Sequence, residues 1–432
     1  MPDETASNVD VKVQGTSSAA YGVAAYNIDA KFNDGFIDKN GKKSNGWSMS
    51  NTAIPVNYFC TKVNVASCEN ANNALNQEWY NRYQPYWDGH RRKARSDNKV
   101  ARDCMEFIPG VMFIRDDNNK VEAENNNEKN IFWDNENYMS LSPDNRPYLQ
   151  YAICNMGNSK KNTEVFHSSL SDYPNSCCVE VLDNNHDIYK MKVVVDETAF
   201  DKWIDENGKE QDPFYEFRFP DEDNFDYSTM KQKFIRLVNW MATNNPAAAT
   251  NEPLETPETY PAYKFRGFNP PGYTSSTGSG ISLAGLEDNT YKGTYTTDSY
   301  ERRMAKMLNE CEDYLVMDSI VYHYLFIERH TMVDNVAKNT FWSTEDGIHW
   351  DLTKNYDNDT ADGNDNSGNL DYYYGLEIGD TTDKGEQVFN APGAVWLEFI
   401  KGLNRPREDL YNKLYSKGAW NADSYLSLFK QF

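Results

Sequence analysis

The sequence predicts an α+β fold, β-rich towards its N-terminus and helical towards its C-terminus. Three observations carry that prediction. Runs such as Val11-Lys12-Val13-Gln14 and Phe214-Tyr215-Glu216-Phe217-Arg218-Phe219 place apolar side chains at alternate positions, the period of a half-buried strand. Further on the period lengthens, and Phe234, Leu237, Val238 and Met241 fall on one helical stripe. Residues 246–285 are then rich in Pro, Gly, Ser and Thr, which reads as a long loop or linker.

Taken in order, the first strand at Val11 runs into Gly15-Thr16-Ser17-Ser18, a small polar turn, and residues 26–32 return as a second strand. A turn of this kind can aim backbone amides at phosphate oxygens, although such turns are common and carry little weight alone. Residues 33–50 read as a loop and 58–63 as a strand. Residues 70–83 read as a helix, with Ala74, Leu75, Trp79 and Tyr80 on neighbouring faces. Strands follow at 105–115, 148–155, 177–182, 191–195 and 214–219, the last closed by Pro220. The helix at 229–243 comes next. Residues 300–329 carry a helical period in two pieces with a break near Asp318-Ser319, and 394–403 is again helical, followed by Arg405-Pro406 and an aromatic tail. The expected organisation is a β-rich portion 1–245, a linker 246–299 and a helical portion 300–432.

Composition narrows the function. Of 432 residues, 39% are hydrophobic and 14% aromatic, enough to build a core. With 29 Tyr and 10 Trp, much of the apolar mass sits in rings that keep a polar handle. A formal net charge of −23 argues against a nucleic-acid partner, because phosphate contacts need an excess of Lys and Arg. The densest basic cluster, Arg91-Arg92-Lys93-Ala94-Arg95 with Lys99 and Arg102, reads as a solvated loop or a partner contact. Seven cysteines without a Cys-x-x-Cys pair do not form a disulfide framework and favour a reduced, cytosolic setting. No apolar run is long enough to span a membrane, and the polar N-terminus does not read as a signal peptide.

The chemistry concentrates between residues 334 and 363. Asp334 is followed five residues later by Asn339, and eighteen residues further on by Asp357-Asn358-Asp359. Phosphoryl transfer needs a carboxylate to orient the attacking hydroxyl and hard oxygen ligands for Mg²⁺, and in protein kinases an Asp, an Asn and a later Asp fill those roles. On that reading Asp334 orients the hydroxyl, Lys338 meets a phosphate, and Asn339, Asp357 and Asp359 hold Mg²⁺. Two other readings stand beside it. Asp334 to Asn339 also suits an ordinary Asx-rich turn after a helix. The segment from Asp357 to Asp365 has the alternating oxygen ligands of a Ca²⁺ loop, but out of register with an EF-hand: counted from Asn358, Gly363 is sixth and Asn369 stands where a Glu belongs. Four carboxylates in nine residues call for a neutralising cation in either case.

In order along the chain, these segments resemble the CotH kinase family, the spore-coat atypical kinases. The resemblance covers roughly residues 10–400. It rests on Val11-Lys12-Val13-Gln14-Gly15-Thr16-Ser17-Ser18, on Lys62-Val63-Asn64-Val65-Ala66-Ser67 with Asn72 and Asn73, and on Asp318-Ser319-Ile320. Asp334 to Asn339, Gly347, Trp350, Asp357-Asn358-Asp359 and Gly363 complete it. It implies a divergent two-lobed, protein-kinase-like fold, with Asp334 catalytic, Asn339, Asp357 and Asp359 holding Mg²⁺, and Gly15 to Ser18 facing the phosphates of ATP. Family members carry lysines shortly after that turn, where this chain has Ala24-Ala25. Lys31 or Lys62 must then supply the phosphate-binding cation, or the fold is kept without turnover. The Asn- and Tyr-rich style also resembles structural proteins of gut bacteriophages. That implies a protein substrate or virion neighbours as partners, and the bacterial host cytoplasm or the virion as location.

Overall fold

The structure, a computed structural model, describes residues 9–13, 28–33, 35–37, 42–44, 46–47, 55–62, 76, 79, 107–115, 138–141, 147–159, 173–183, 186–220, 223–267, 282–330, 332, 335–354, 356, 358, 361–362, 393–418 and 420–430. Helices and sheets are both present, so the fold is α+β.

The first sheet has six antiparallel strands: β1 (Val9–Val13), β2 (Ile28–Phe32), β3 (Tyr58–Lys62), β4 (Phe107–Arg115), β5 (Tyr138–Leu141) and β6 (Pro147–Asn158). Their spatial order is β1-β2-β3-β6-β4, with β5 also paired to β6. Side chains alternate across a strand, so Cys60 and Lys62 share one face of β3. Their cross-strand partners, Asp29 on β2 and Asn155 on β6, stand on that face too. All four are buried. This is an unusual row for a sheet interior, since three of its members are polar.

The second sheet takes β7 (Cys177–Val181), β8 (Tyr215–Phe219), β9 (Phe341–Thr344) and β10 (Asp351–Lys354) in the order β8-β7-β9-β10. Both central strands are buried along their whole length, as strands covered on two faces are. Strand β8 carries a bulge: Phe217 opposes Val179 and Phe219 opposes Cys178, which leaves Arg218 as the extra residue. A bulge re-aims a side chain. Here Arg218 reaches Glu180 on β7 and Glu216 beside it, both as ion pairs.

The frame is completed by helices α1 (Tyr227–Asn244), α2 (Tyr300–Glu310), α3 (Met317–Arg329), α4 (Val395–Lys401), α5 (Asn404–Ser416) and α6 (Ala422–Phe429) among the described residues. Asp226 caps α1 by accepting from the Thr229 amide at 3.0 Å, and Ser299 caps α2 through the Arg302 amide. Helix α3 is buried on nearly every side, which marks it as the central pillar of the core. One large apolar cluster runs from Trp79 to Leu428 around it. A second, smaller cluster joins the two sheets, with Phe59, Cys60 and Phe107 from the first and Cys178, Phe219 and Phe341 from the second.

Several expectations need correction. Residues 246–299 are not a featureless linker: Pro253–Tyr260 pairs with Gly293–Thr297, and Tyr263–Lys264 with Glu287–Asp288. Tyr263, Phe265 and Leu283 bury into the large cluster, which anchors the ribbons. Nor does the chain divide at residue 300, because β9 and β10 lie in one sheet with β7 and β8. Residues 191–195 form turns rather than a strand, and Met191 sits at φ 57°. The helical break falls at residues 311–316, before Asp318, whose carboxylate accepts from the Leu283 amide at 2.9 Å. The aromatic tail forms α5 and α6, with Pro406 tolerated in the first turn of α5. The basic run 91–102 lies outside the described residues.

Candidate functional site

Asp334, Asp357, Asp359 and the turn Gly15 to Ser18 lie outside the described residues, whereas Asn335, which follows Asp334, and Tyr356 and Asn358, which flank Asp357, are described. Past the end of α3, the His330 amide bonds Phe326 O and the Met332 amide bonds Ile327 O. Residues 335–340 then fold into a compact turn, closed by the Asn335 amide on Met332 O and the Thr340 amide on Ala337 O. Asn339 takes the left-handed backbone, φ 59°, which asparagine tolerates better than most residues. That conformation seats its amide on Val181 O, at the end of β7. Trp396 of α4 donates to Val336 O at 3.1 Å and holds the turn from the other side.

Two bonds tie this loop to the segment that follows β10. Asn335, fully buried, donates from Nδ2 to Tyr356 O at 2.7 Å. His330 Nδ1 lies 2.8 Å from Asp362 Oδ1, and the Asp362 amide donates to His330 O at 2.6 Å. In sequence, Asp334 falls between His330 and Asn335, and Asp357 and Asp359 fall between Tyr356 and Asp362. The residues that flank the two acidic stretches are therefore in direct contact.

The first sheet meets the same place. Lys62, only 7% exposed, sets its ammonium 5.0 Å from the centroid of the Tyr356 ring. That ring packs edge-on against Phe341 in the small cluster between the sheets. Burying an ammonium is costly unless anions or π-electrons surround it. Lys31, on β2, is exposed and does not join this group. Lys338 is half-buried on the turn, one residue before Asn339.

The buried amides leave polar atoms unspent. Asn335 Oδ1 and Asn339 Nδ2 are both buried without a hydrogen-bond partner among the described residues. Each such atom costs roughly 1–3 kcal/mol if nothing meets it. An amide oxygen suits a hard cation and an amide nitrogen suits an anion or water, so the donor set fits a metal–phosphate group. Among the described residues, no cluster of three or more His, Cys, Asp or Glu side chains gathers for a metal. Of the residues expected to hold a metal, Asn339 is described and Asp357 and Asp359 are not; the unspent atom of Asn339 is a nitrogen, and the unspent oxygen belongs to Asn335.

Sequence reasoning missed His330, Asn335, Tyr356 and Asp362. Asp362 was visible only as one of a run of carboxylates, and His330 only as a scattered histidine. Arg218 and Glu180 were equally silent, because a bulge cannot be read from alternation. The five described cysteines, Cys60, Cys154, Cys177, Cys178 and Cys311, are buried.

No protein-family model matches the chain, and no curated protein matches it. Among the described residues no helix is long and apolar enough to cross a membrane.

Proposed function

We propose that this chain binds ATP with Mg²⁺ between its two sheets and acts as a phosphotransferase of the two-lobed, CotH-like kinase type, passing the γ-phosphate to a protein hydroxyl. The observation that carries the reading is Lys62, a buried cation on the first sheet that faces Tyr356, the residue just before Asp357. Phosphoryl transfer draws its catalysis from positioning and charge, with a lysine from one wall and metal-holding oxygens from the other. In this reading Lys62, rather than exposed Lys31, replaces the lysines absent at Ala24-Ala25. Asp334 orients the acceptor hydroxyl and Lys338 meets a phosphate oxygen. Asn339, Asp357 and Asp359 hold the cation, and Gly15 to Ser18 face the phosphates. Mg²⁺ when bound supplies charge neutralisation on the phosphate oxygens. The bonds from Asn335 to Tyr356 and from His330 to Asp362 keep the two acidic segments in register.

Thermal melting tests this. A ligand at a hundred times its Kd stabilises by about 2.7 kcal/mol. Mg²⁺-ATP is expected to raise the midpoint of the wild type and not of Asp357→Ala, and EDTA to abolish the rise. Autophosphorylation by the wild type but not by Asp334→Ala then separates turnover from binding. A wild-type melt indifferent to Mg²⁺-ATP ends the reading.

One observation favours a second reading. Ala24-Ala25 stand where the family resemblance implies lysines, as expected of a fold kept without turnover, serving as a virion or adhesion module with a structural cation. That module would respond to Ca²⁺ alone and ignore nucleotide.

A further inference from the structure

Asp362 collects contacts from three places far apart in the chain. Asn76 donates from Nδ2 to its Oδ2 at 2.8 Å, the Tyr425 hydroxyl of α6 donates to the same oxygen at 3.3 Å, and His330 Nδ1 holds Oδ1 at 2.8 Å. Tyr425 also reaches Asn76 Oδ1 at 3.5 Å, which closes a triangle. The three elements pack on one another beneath the carboxylate. Trp79, one helical turn after Asn76 and fully buried, packs at a tilt on Tyr425, 4.2 Å between ring centroids, and meets His330 edge-on at 5.7 Å. Arg329, the last residue of α3, lies over both Trp79 and Trp420.

We propose that Asp362 is a positioning residue: it fixes the metal-holding segment against the end of α3 and against the element carrying Asn76 and Trp79. The proposal rests on the phosphotransferase reading above. Asp362 lies three residues after Asp359, so a fixed Asp362 limits where the preceding oxygens can stand. Its backbone is left-handed, φ 59°, and its amide is bonded to His330 O, so neither end of the residue is free to swing. A carboxylate has about four lone-pair sites, and three donors occupy them here. Supporting contacts of this kind hold a site within a fraction of an ångström of its working geometry. The Asp362 side chain is 32% exposed, and the desolvation that its neighbours impose would by itself raise the carboxyl. The His330 ring and the bonds from His330, Asn76 and Tyr425 bring it below the ordinary carboxylate range, so the charged form is the one these donors hold.

The test uses the full chain as wild type, Asp362→Ala, Asp362→Asn, Tyr425→Phe and, as a remote control, Asp226→Ala at the cap of α1. Two quantities are measured for each: the melting midpoint without ligand, and the Mg²⁺ concentration giving half-maximal phosphoryl transfer at saturating ATP. Asp362→Ala is expected to raise that Mg²⁺ concentration about tenfold or more, the usual effect of losing an outer contact to a metal site. Asp362→Asn keeps an acceptor oxygen and should recover much of the loss, and Tyr425→Phe should give a smaller rise. Asp226→Ala should lower the midpoint and leave the Mg²⁺ demand unchanged. The proposal is overturned if Asp362→Ala only lowers the midpoint, like Asp226→Ala. It is also overturned if Asp362→Asn is as damaging as Asp362→Ala, which would mark direct ligation instead. A wild type that shows no Mg²⁺-ATP response is seen before any variant is compared, and it removes the phosphotransferase reading together with this one.

Discussion

The large core around α3 and the junction between the two sheets are built from opposite materials. In the core, Phe234 meets the rings of Tyr215 and Trp350 at 5.1 Å each, and α3 is buried among aliphatic and aromatic neighbours. At the junction, a thin apolar cluster is ringed by buried Asp29, Lys62, Asn155, Glu180, Asn335 and Asn339. Burying polar groups weakens a fold or at best breaks even. The core buries some polar groups too, such as Asp318 and His323, but at the junction they gather around a thin cluster, and stability is given up there. The core holds the chain together, and the junction is where the proposed function would reside.

The largest expected effect follows from the core. Phe234→Ala removes a fully buried ring and should cost about 3–5 kcal/mol in urea unfolding. Any nucleotide-dependent shift should persist in the surviving folded protein. Loss of that shift alone, with stability intact, would contradict the division between the regions.

Next comes acid sensitivity. His323 on α3 is fully buried beside Trp396, 5.7 Å between ring centroids, and burial pushes its imidazole down to about 3. The folded state keeps the ring neutral, whereas the unfolded chain takes up a proton below about pH 6.5. Stability from this site is thus full above that pH and is lost as pH falls towards 3. Between about pH 7 and pH 5 the loss is ~2 kcal/mol. Denaturant unfolding of the wild type and His323→Leu at both pH values checks it, and the variant should show the smaller drop.

At the junction the effects shrink in stability and grow in function. Asn335→Ala leaves the buried Tyr356 carbonyl unpaired but also removes the unspent Oδ1, so the net cost should be about 1 kcal/mol. Phosphoryl transfer should fall well beyond what that loss of stability explains. Equal, small losses in both would make Asn335 an ordinary loop residue.

Legibility in the sequence follows the same division. Alternation gave β8 almost to the residue, and the 3.6-residue stripe gave α1, because one buried face writes a period into the chain. The ribbon strand Pro253–Tyr260 was read as loop because its prolines and exposed Thr and Glu residues carry no apolar period. Helices α5 and α6 hid behind Arg405-Pro406, since a proline in a first turn looks like a stop. In the site, residue types and spacing pointed to the two acidic stretches. The contacts around them, Asn335 with Tyr356 and His330 with Asp362, join residues 21 and 32 positions apart. No local pattern records a bond of that span.

Lys62→Met is the finest cut between the two regions. The substitution keeps a long apolar stem against the Tyr356 ring and removes a charge that burial disfavours. It gives up a cation–π contact of about 0.5–2 kcal/mol. Relief of desolvation opposes the loss of its contacts, so the destabilisation without ligand should stay below ~3 kcal/mol. The Mg²⁺-ATP-dependent rise in the melting midpoint should disappear, while Lys31→Met, at an exposed position of β2, should keep it. A destabilisation of ~3 kcal/mol or more would instead show Lys62 holding the two sheets together as part of a buried ion pair. The junction would then be as structural as the core, and the contrast between the regions would lose its functional meaning.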